Sequence, residues 1–512
     1  MILSFFVLLI LVVIGAAIAL RTPIPDAVFW AAIGFLAAYV PQLPVIRFDP
    51  QIALLFFLPP LVYASAVDLP WREFRENLRA IGTLAIGLVI ATAALVAAIV
   101  HAFAGVPWAG AAVLGAIVSP TDPVAASAVA RRVGMPRRLI AILEGEGLVN
   151  DAMALTIFGI ALQAVQTNSF SVSSAVLRFA AIAIGEPVYG WLIGVLITRL
   201  RSRVTDARIE IAISLLTPFI AYLPPQMLGG SGILATVACG MYVGERRPEL
   251  MPAGTRLHAA SFWQMIVFLL NGALFVVAGM ELHRAVYSAE NDGGVVRLGL
   301  AVAGGIILIR FGWFAMSWFV FVALRRILRH ERHPTPRRHL GILAWSAIRG
   351  PISLAAALSI PAAAATKAFP KNPQLGLYVA AFVVIATLLP QGLTLPALVR
   401  RFHVDQDSRR EAEQSEADEK FAADEAIAAG LQHLEELERS RKISPITAAR
   451  LRRYYENVHT LAGSPELYPI IAELIDVERA RILELRNQGR MSDHTLARLE
   501  RRLDLRRTAW AD

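Results

Sequence analysis

Thirteen apolar runs, each long enough to cross a bilayer, follow one another through the first 400 residues. A membrane-crossing helix needs about 20 predominantly apolar residues. The runs cover 2–20, 26–43, 50–68, 78–104, 108–130, 138–166, 174–198, 207–223, 229–245, 257–282, 298–324, 339–362 and 374–399. They point to an all-α polytopic membrane protein. Only 17% of the residues are charged, where a soluble chain would carry about a quarter. No Lys or Arg precedes the first run, so Met1–Leu20 reads as an uncleaved span rather than a signal peptide. The single cysteine, Cys239, lies within an apolar run. It leaves no intramolecular disulfide and excludes a metal site built on cysteine.

The loop charges test the number of spans. Loops after odd-numbered spans hold twenty-one basic residues, among them Arg131, Arg132, Arg137, Arg138, Arg199, Arg201 and Arg256. Loops after even-numbered spans hold five: Arg47, Arg284, Arg297, Lys367 and Lys371. A missed or invented span would scramble this alternation. Positive loops face the cytoplasm, so the N-terminus is expected outside and the C-terminal tail inside. The net charge of +9 therefore reports membrane orientation, not nucleic-acid binding.

Composition changes at about Arg401. Residues 1–400 form the expected transmembrane domain and 401–512 a soluble cytoplasmic tail with 19 Lys+Arg against 22 Asp+Glu. Glu411–Ser440 and Pro465–Asn487 have helical patterns, and Ser492 is placed to cap a last helix running through Arg507.

Two spans carry helix breakers near their middles. Span 5 holds Pro120 and Pro123, and span 12 holds Gly350 and Pro351. Their separation is what two inverted six-helix halves joined by span 7 would give. Paired interrupted helices at corresponding positions point to a midplane transport site.

An ionisable side chain in a bilayer core costs several kcal/mol and needs a partner or a role. Asp122, Glu144, Glu146, Asp151, Glu186, Arg310 and Arg349 all fall inside spans. Asp122 and Asp151 lie near mid-membrane. A carboxylate in a partly dry cavity takes up a proton more readily, and it can instead hold a small hard cation. Competition between the two is the chemistry of exchange. Asp151 and Asp122 are thus the candidate ligands of a monovalent metal cation, with Thr121 and Asn150 as oxygen-bearing neighbours. Where half-helices meet, the acid Asp122 suits the positive ends and the base Arg349 the negative ends. Glu186 is expected to face protein or water, because facing lipid would be costly.

Three motifs carry a family resemblance: Ser119-Pro120-Thr121-Asp122-Pro123, Gly145-Glu146-Gly147-Leu148-Val149-Asn150-Asp151, and Arg349-Gly350-Pro351-Ile352-Ser353-Leu354. In this order and on these spans the chain resembles the monovalent cation:proton antiporter-1 family, over about residues 1–400. That family includes bacterial Na+/H+ antiporters and animal Na+/H+ exchangers. The resemblance implies a homodimer in the bacterial inner membrane with an elevator-like core around crossed spans 5 and 12. It implies that ion and proton compete for Asp151, and that the Asn150-Asp151 pair belongs with the electroneutral branch. It also implies that Glu146 is a structural acid paired with Arg310. Gly147 stands where many relatives have Ser, and Tyr63-Ala64 where some have Glu. Both changes remove an oxygen ligand, so K+ stands beside Na+ and Li+ as a transported cation.

The resulting expectation is a secondary transporter exchanging Na+ for H+, with K+/H+ exchange as the alternative and no cofactor. No Gly-rich phosphate loop ending in Lys-Ser/Thr occurs, in agreement with transport driven by gradients. A cation channel would need an open pore with a ring or filter. A membrane enzyme is disfavoured because the histidines show no paired metal-ligand spacing.

Overall fold

The computed structural model describes residues 2–19, 21, 26–40, 50–204, 206–250, 253–289, 293–328, 336–456 and 468–509. Arg47, Arg329 and Arg332 of the loop charges, and the start of the tail segment at Pro465, lie outside the described residues. The described chain is helical throughout and contains no strand. Its first half runs α1 (Ile2–Ala19), α2 (Asp26–Ala37), α3 (Pro50–Asp68), α4 (Trp71–Glu76), α5 (Leu78–Gly82), a wide π turn (Thr83–Leu88), α6 (Val89–Ala104), α7 (Trp108–Val118), α8 (Pro123–Arg132), α9 (Arg137–Thr167) and α10 (Val172–Arg201). The second half runs α11 (Ala207–Met227), α12 (Ile233–Leu250), α13 (Ala253–Ala289), α14 (Gly293–Leu328), α15 (Arg337–Trp345), α16 (Pro351–Leu358), α17 (Ala362–Ala368) and α18 (Leu375–Arg401). The tail follows as α19 (Val404–Arg439), α20 (Pro445–Glu456), α21 (Tyr468–Asn487) and α22 (Asp493–Ala509). Among the described residues seven helices are long and apolar enough to cross a bilayer unaided. Shorter apolar helices such as Asp26–Ala37 and Trp108–Val118 lie among them.

The membrane helices sort into two bundles. In one, α2 packs on α1 and α13, and α12 packs on α3, α10 and α11. In the other, α7 packs on α6 and α9, and α14 packs on α6 and α18. Lipid offers no hydrophobic drive between helices, so close backbone approach across small residues does the packing. A Cβ added at Gly34 of α2 would lie 2.0 Å from the Val276 carbonyl oxygen of α13. At Gly190 of α10 it would lie 2.0 Å from the Ala235 carbonyl of α12, and at Gly115 of α7 2.2 Å from the Ala93 carbonyl of α6. The bundles meet where α3, α12 and α13 face α9, α16 and α18.

Both breaker-bearing runs are divided helices. Residues 119–122 separate α7 from α8, and residues 346–350 separate α15 from α16. Proline cannot donate a helical hydrogen bond and displaces the preceding turn, which accounts for the break at Pro120. Pro351 is tolerated at the first position of α16, where no donor is required.

Two arginines read as loop charges are buried instead. Helix α10 continues past residue 198 to Arg201, which is 1% exposed and bonds Glu210 of α11 at 2.8 Å. Arg256 lies in α13 and bonds Asp504 of α22. Sequence reading placed them outside the helices because charge was taken to mark a helix end.

Glu186 faces protein, as its cost in lipid demands. It is 4% exposed, and its Oε1 accepts hydrogen bonds from the backbone N–H of Ser231 (2.6 Å) and Gly232 (3.0 Å). Oε2 accepts from the Ser231 hydroxyl at 2.9 Å. The carboxylate thus satisfies the orphan donors at the start of α12 from a neighbouring helix. Gly232, at φ +69°, lets the loop turn around it. Glu186→Leu should lower stability by about 2–3 kcal/mol, since two buried N–H groups would lose their acceptor. Glu186→Gln, which keeps an acceptor, should lose less. Thermal melts of the detergent-purified protein would measure both.

Candidate functional site

The site is built where the two broken helices cross. The backbone N–H of Asp122 donates to the carbonyl of Ile348 at 2.8 Å, joining one break directly to the other. Arg349 closes the crossing. Its Nε donates to the Val118 carbonyl (3.1 Å), the last residue of α7, and its Nη1 to the Ala347 carbonyl (2.7 Å). Its own backbone N–H donates to Thr387 Oγ1 on α18 at 3.1 Å. A buried guanidinium here compensates the negative C-terminal end of α7. The Asp122 carboxylate lies over Gly350, immediately before α16: a Cβ at that glycine would come within 2.4 Å of Oδ2. Only glycine leaves the acid room at this helix start.

Helix α9 supplies the remaining groups from one side. Glu146 is 1% exposed and receives Arg310 of α14 bidentately, at 2.5 and 2.9 Å. Arg310 also donates to the Leu343 carbonyl of α15 (3.3 and 3.2 Å). The ion pair thereby ties α9, α14 and α15 together. Glu146 Oε1 also accepts from the Thr121 hydroxyl at 3.2 Å. That hydroxyl in turn accepts from Asn150 Nδ2 at 2.7 Å, and Asn150 Nδ2 reaches the Thr121 carbonyl at 3.4 Å. A polar chain therefore runs Arg310, Glu146, Thr121, Asn150. With both donor contacts of its amide directed to Thr121, Asn150 leaves Oδ1 buried and without a hydrogen-bond partner among the described residues.

Asp151 stands next to this chain and outside it. It is 4% exposed, and among the described residues its carboxylate makes no hydrogen bond and no ion pair. The arginines that could have neutralised it are committed elsewhere, Arg310 to Glu146 and Arg349 to carbonyls. Asp122 is near enough for its charge to act on Asp151.

The sequence-derived candidates thus fall in one place. Asp122, Thr121, Asn150, Asp151, Glu146, Arg310 and Arg349 all sit at or beside the crossing. Glu144 does not: two residues before Glu146 on α9, it pairs at 2.5 Å with the largely exposed Arg131. Thr387 was missed, since a lone threonine in an apolar run carries no signal for a cap on another helix. Tyr63 and Ala64 line a separate cavity of about 190 Å³ with Asp68, Arg201, Ser214 and Trp263, and neither Asp122 nor Asp151 borders it.

Crossed broken helices around buried carboxylates define a secondary ion transporter rather than an enzyme pocket. The comparisons with known proteins give the family. The model of the sodium/hydrogen exchanger transmembrane family matches residues 7–401, and the chain belongs to that family. It is 33% identical to a Mycobacterium tuberculosis protein named an uncharacterised Na+/H+ exchanger, over 96% of this chain and 93% of that one. It is 34% identical to a Bacillus subtilis sodium, potassium, lithium and rubidium/H+ antiporter, over 73% of this chain and 58% of the relative. The fold matches the sodium proton antiporter MjNhaP1 of Methanocaldococcus jannaschii with a TM-score of 0.61 at 19% identity, covering 78% of this chain and 99% of that one. The chain is a multi-pass inner-membrane protein of cation/proton antiport, and its relatives are transporters, not enzymes.

Breaking the Glu146–Arg310 pair from one side should cost about 3–5 kcal/mol, because it strands a buried charge. Glu146→Ala and Arg310→Ala should each lower the yield of folded protein and its melting temperature. Normal stability in both would show that the pair does not hold the fold.

Proposed function

We propose that the protein exchanges one monovalent cation for one proton at Asp151, by alternating access and without net charge movement. The observation that carries this is the buried, unengaged carboxylate of Asp151, next along α9 to Asn150, whose buried Oδ1 has no hydrogen-bond partner among the described residues. An acid locked to a guanidinium could bind neither ion. An acid with a neutral amide neighbour can hold a proton or a cation, and binding of one displaces the other. Asp122 adds a second negative group, and Thr121 holds the Asn150 amide in the orientation that turns its oxygen free. Neutral Asn150 in place of a second acid supports a one-for-one exchange.

The division into two bundles supports alternating access, in which the one carrying α7–α9 and α15–α16 moves against the one carrying α2, α12 and α13. The protein works as a homodimer, with residues 1–400 as the transporting part and 401–512 as a cytoplasmic tail. Na+ is the principal cation. K+ is the second reading, favoured by Gly147, which offers no side-chain oxygen one turn from Asp151 on α9. The Bacillus subtilis relative, a sodium, potassium, lithium and rubidium/H+ antiporter by name, supports the same breadth.

Asp151→Asn should abolish cation-dependent proton movement in inverted vesicles while the protein still inserts and folds. Full exchange in that variant would refute the assignment. In proteoliposomes with an imposed pH gradient, titration with Na+, K+ and Li+ should rank the cations. At a clamped membrane potential the turnover should not change with voltage, and a steep voltage dependence would reject the one-for-one ratio.

A further inference from the structure

The tail is docked on both bundles at once. On the bundle that carries Asp151, Glu411 Oε2 accepts from the backbone N–H of Arg137, the first residue of α9, at 2.9 Å. The Arg137 guanidinium donates to Ser415 Oγ at 3.1 Å. Asp407 binds Arg338 (2.7 Å) and His339 (2.8 Å) at the start of α15. On the other bundle, Arg256 of α13 donates through Nε to Asp504 Oδ2 at 2.7 Å and through Nη2 to Oδ1. Arg479 of α21 adds a third donor to the same carboxylate at 2.7 Å. Asp504 is 3% exposed and Arg256 8%, so this is a buried contact and not a surface ion pair. Between the two attachments the tail also holds α4, the short helix through which the chain passes from one bundle to the other. Arg72 donates from its backbone N–H to Asp493 (3.3 Å) and from its side chain to the Arg486 carbonyl (2.5 Å).

The tail that makes these contacts has a core of its own. Ala422, Ala426, Leu434, Ile475, Leu485 and Leu499 pack together across α19, α21 and α22. The element between the attachments is therefore a packed body and cannot stretch as a flexible linker would. Burial, with Arg137, Arg498 and Arg131, holds the His494 imidazole below its ordinary value and Glu419 opposes them, so the tail feels charges of the transporting part.

We propose that the tail is a strap joining the two bundles at one end, and that each exchange cycle requires its contact at Arg256 and Asp504 to open. The proposal rests on the alternating-access reading above. If one bundle shifts against the other, attachments on Arg137 and Arg338 must move relative to the attachment on Arg256. A rigid body cannot keep both. The Arg256 contact is the one that gives, because α19 is joined covalently to α18 of the Asp151 bundle through Phe402 and His403.

The test uses the full chain with Cys239→Ala, Arg256→Cys and Asp504→Cys, reconstituted and assayed before and after bridging with a short bis-maleimide. Unbridged, it should exchange cations for protons at least as fast as the parent. Bridged, it should slow by about tenfold or more, as expected when a populated state cannot convert. Equal rates before and after bridging would overturn the strap while leaving exchange itself intact. Absence of exchange in the unbridged, folded protein and in its parent would sink the transport reading and the strap with it. A bridge confined to the tail, from Glu425→Cys on α19 to Arg481→Cys on α21, should leave the rate unchanged, and an equal loss there would also overturn the strap. Should the first variant not fold, Arg72→Ala gives the same answer from a partly exposed position. Backbone amides of α22 should then exchange hydrogen faster, with cation exchange undiminished. A looser tail with slower cation exchange would contradict the proposal.

Discussion

Everything at the centre of this molecule depends on how two interrupted helices satisfy their loose backbone ends inside the membrane. An unpaired backbone group costs several kcal/mol where no water can reach it. The crossing solves this with a small set of bonds: Asp122 N–H to the Ile348 carbonyl, the Arg349 guanidinium to the Val118 and Ala347 carbonyls, and Arg349 N–H to Thr387 Oγ1. The same bonds fix where charge must stand. A guanidinium lies at the negative end of α7 and a carboxylate over the start of α16. Asp122 and Arg349 are therefore as much a part of the helix break as they are of any transport chemistry.

Charge in the site is divided between scaffold and work. Arg310 and Glu146 neutralise each other, and Thr121 passes that order on to Asn150. Each member of this chain has partners that hold it still. Asp151, one residue further along α9, has been left out of the arrangement. A rigid polar neighbourhood around one unengaged acid suits ion competition, because a bound cation or proton then has no alternative counter-charge to contend with. The breadth of cations that this allows depends on how many further oxygens come near. Gly147, one turn from Asp151 on α9, adds no side-chain oxygen there.

The tail extends the same logic to the surface. Its attachments pair opposite charges across the seam, and the one on α13 is buried. A buried ion pair contributes little net stability but makes geometry specific. Such a contact holds one relative position of the two bundles and discriminates against others, which is the property a strap needs.

Sequence alone determined the helical membrane architecture, because long apolar runs have one stable form in lipid. It also located the two breaks, since proline and glycine act through the local backbone, and the cost of burying charge singled out Asp122, Glu146, Asp151, Arg310 and Arg349, which meet at the crossing, along with Glu144 and Glu186, which do not. Tertiary structure decided the rest. Glu186 had no account until the start of α12 was seen wrapped around it. Arg201 and Arg256 looked like loop charges until their partners, Glu210 and Asp504, were placed beside them. Nothing local distinguishes Thr387 from any other threonine in an apolar helix. The residues by themselves did not say which acid is spent on an arginine; the family resemblance implied Glu146 with Arg310, and the distances between segments far apart in the chain place that pair. A sequence records the cost of each buried charge, but only packing decides which charges cancel.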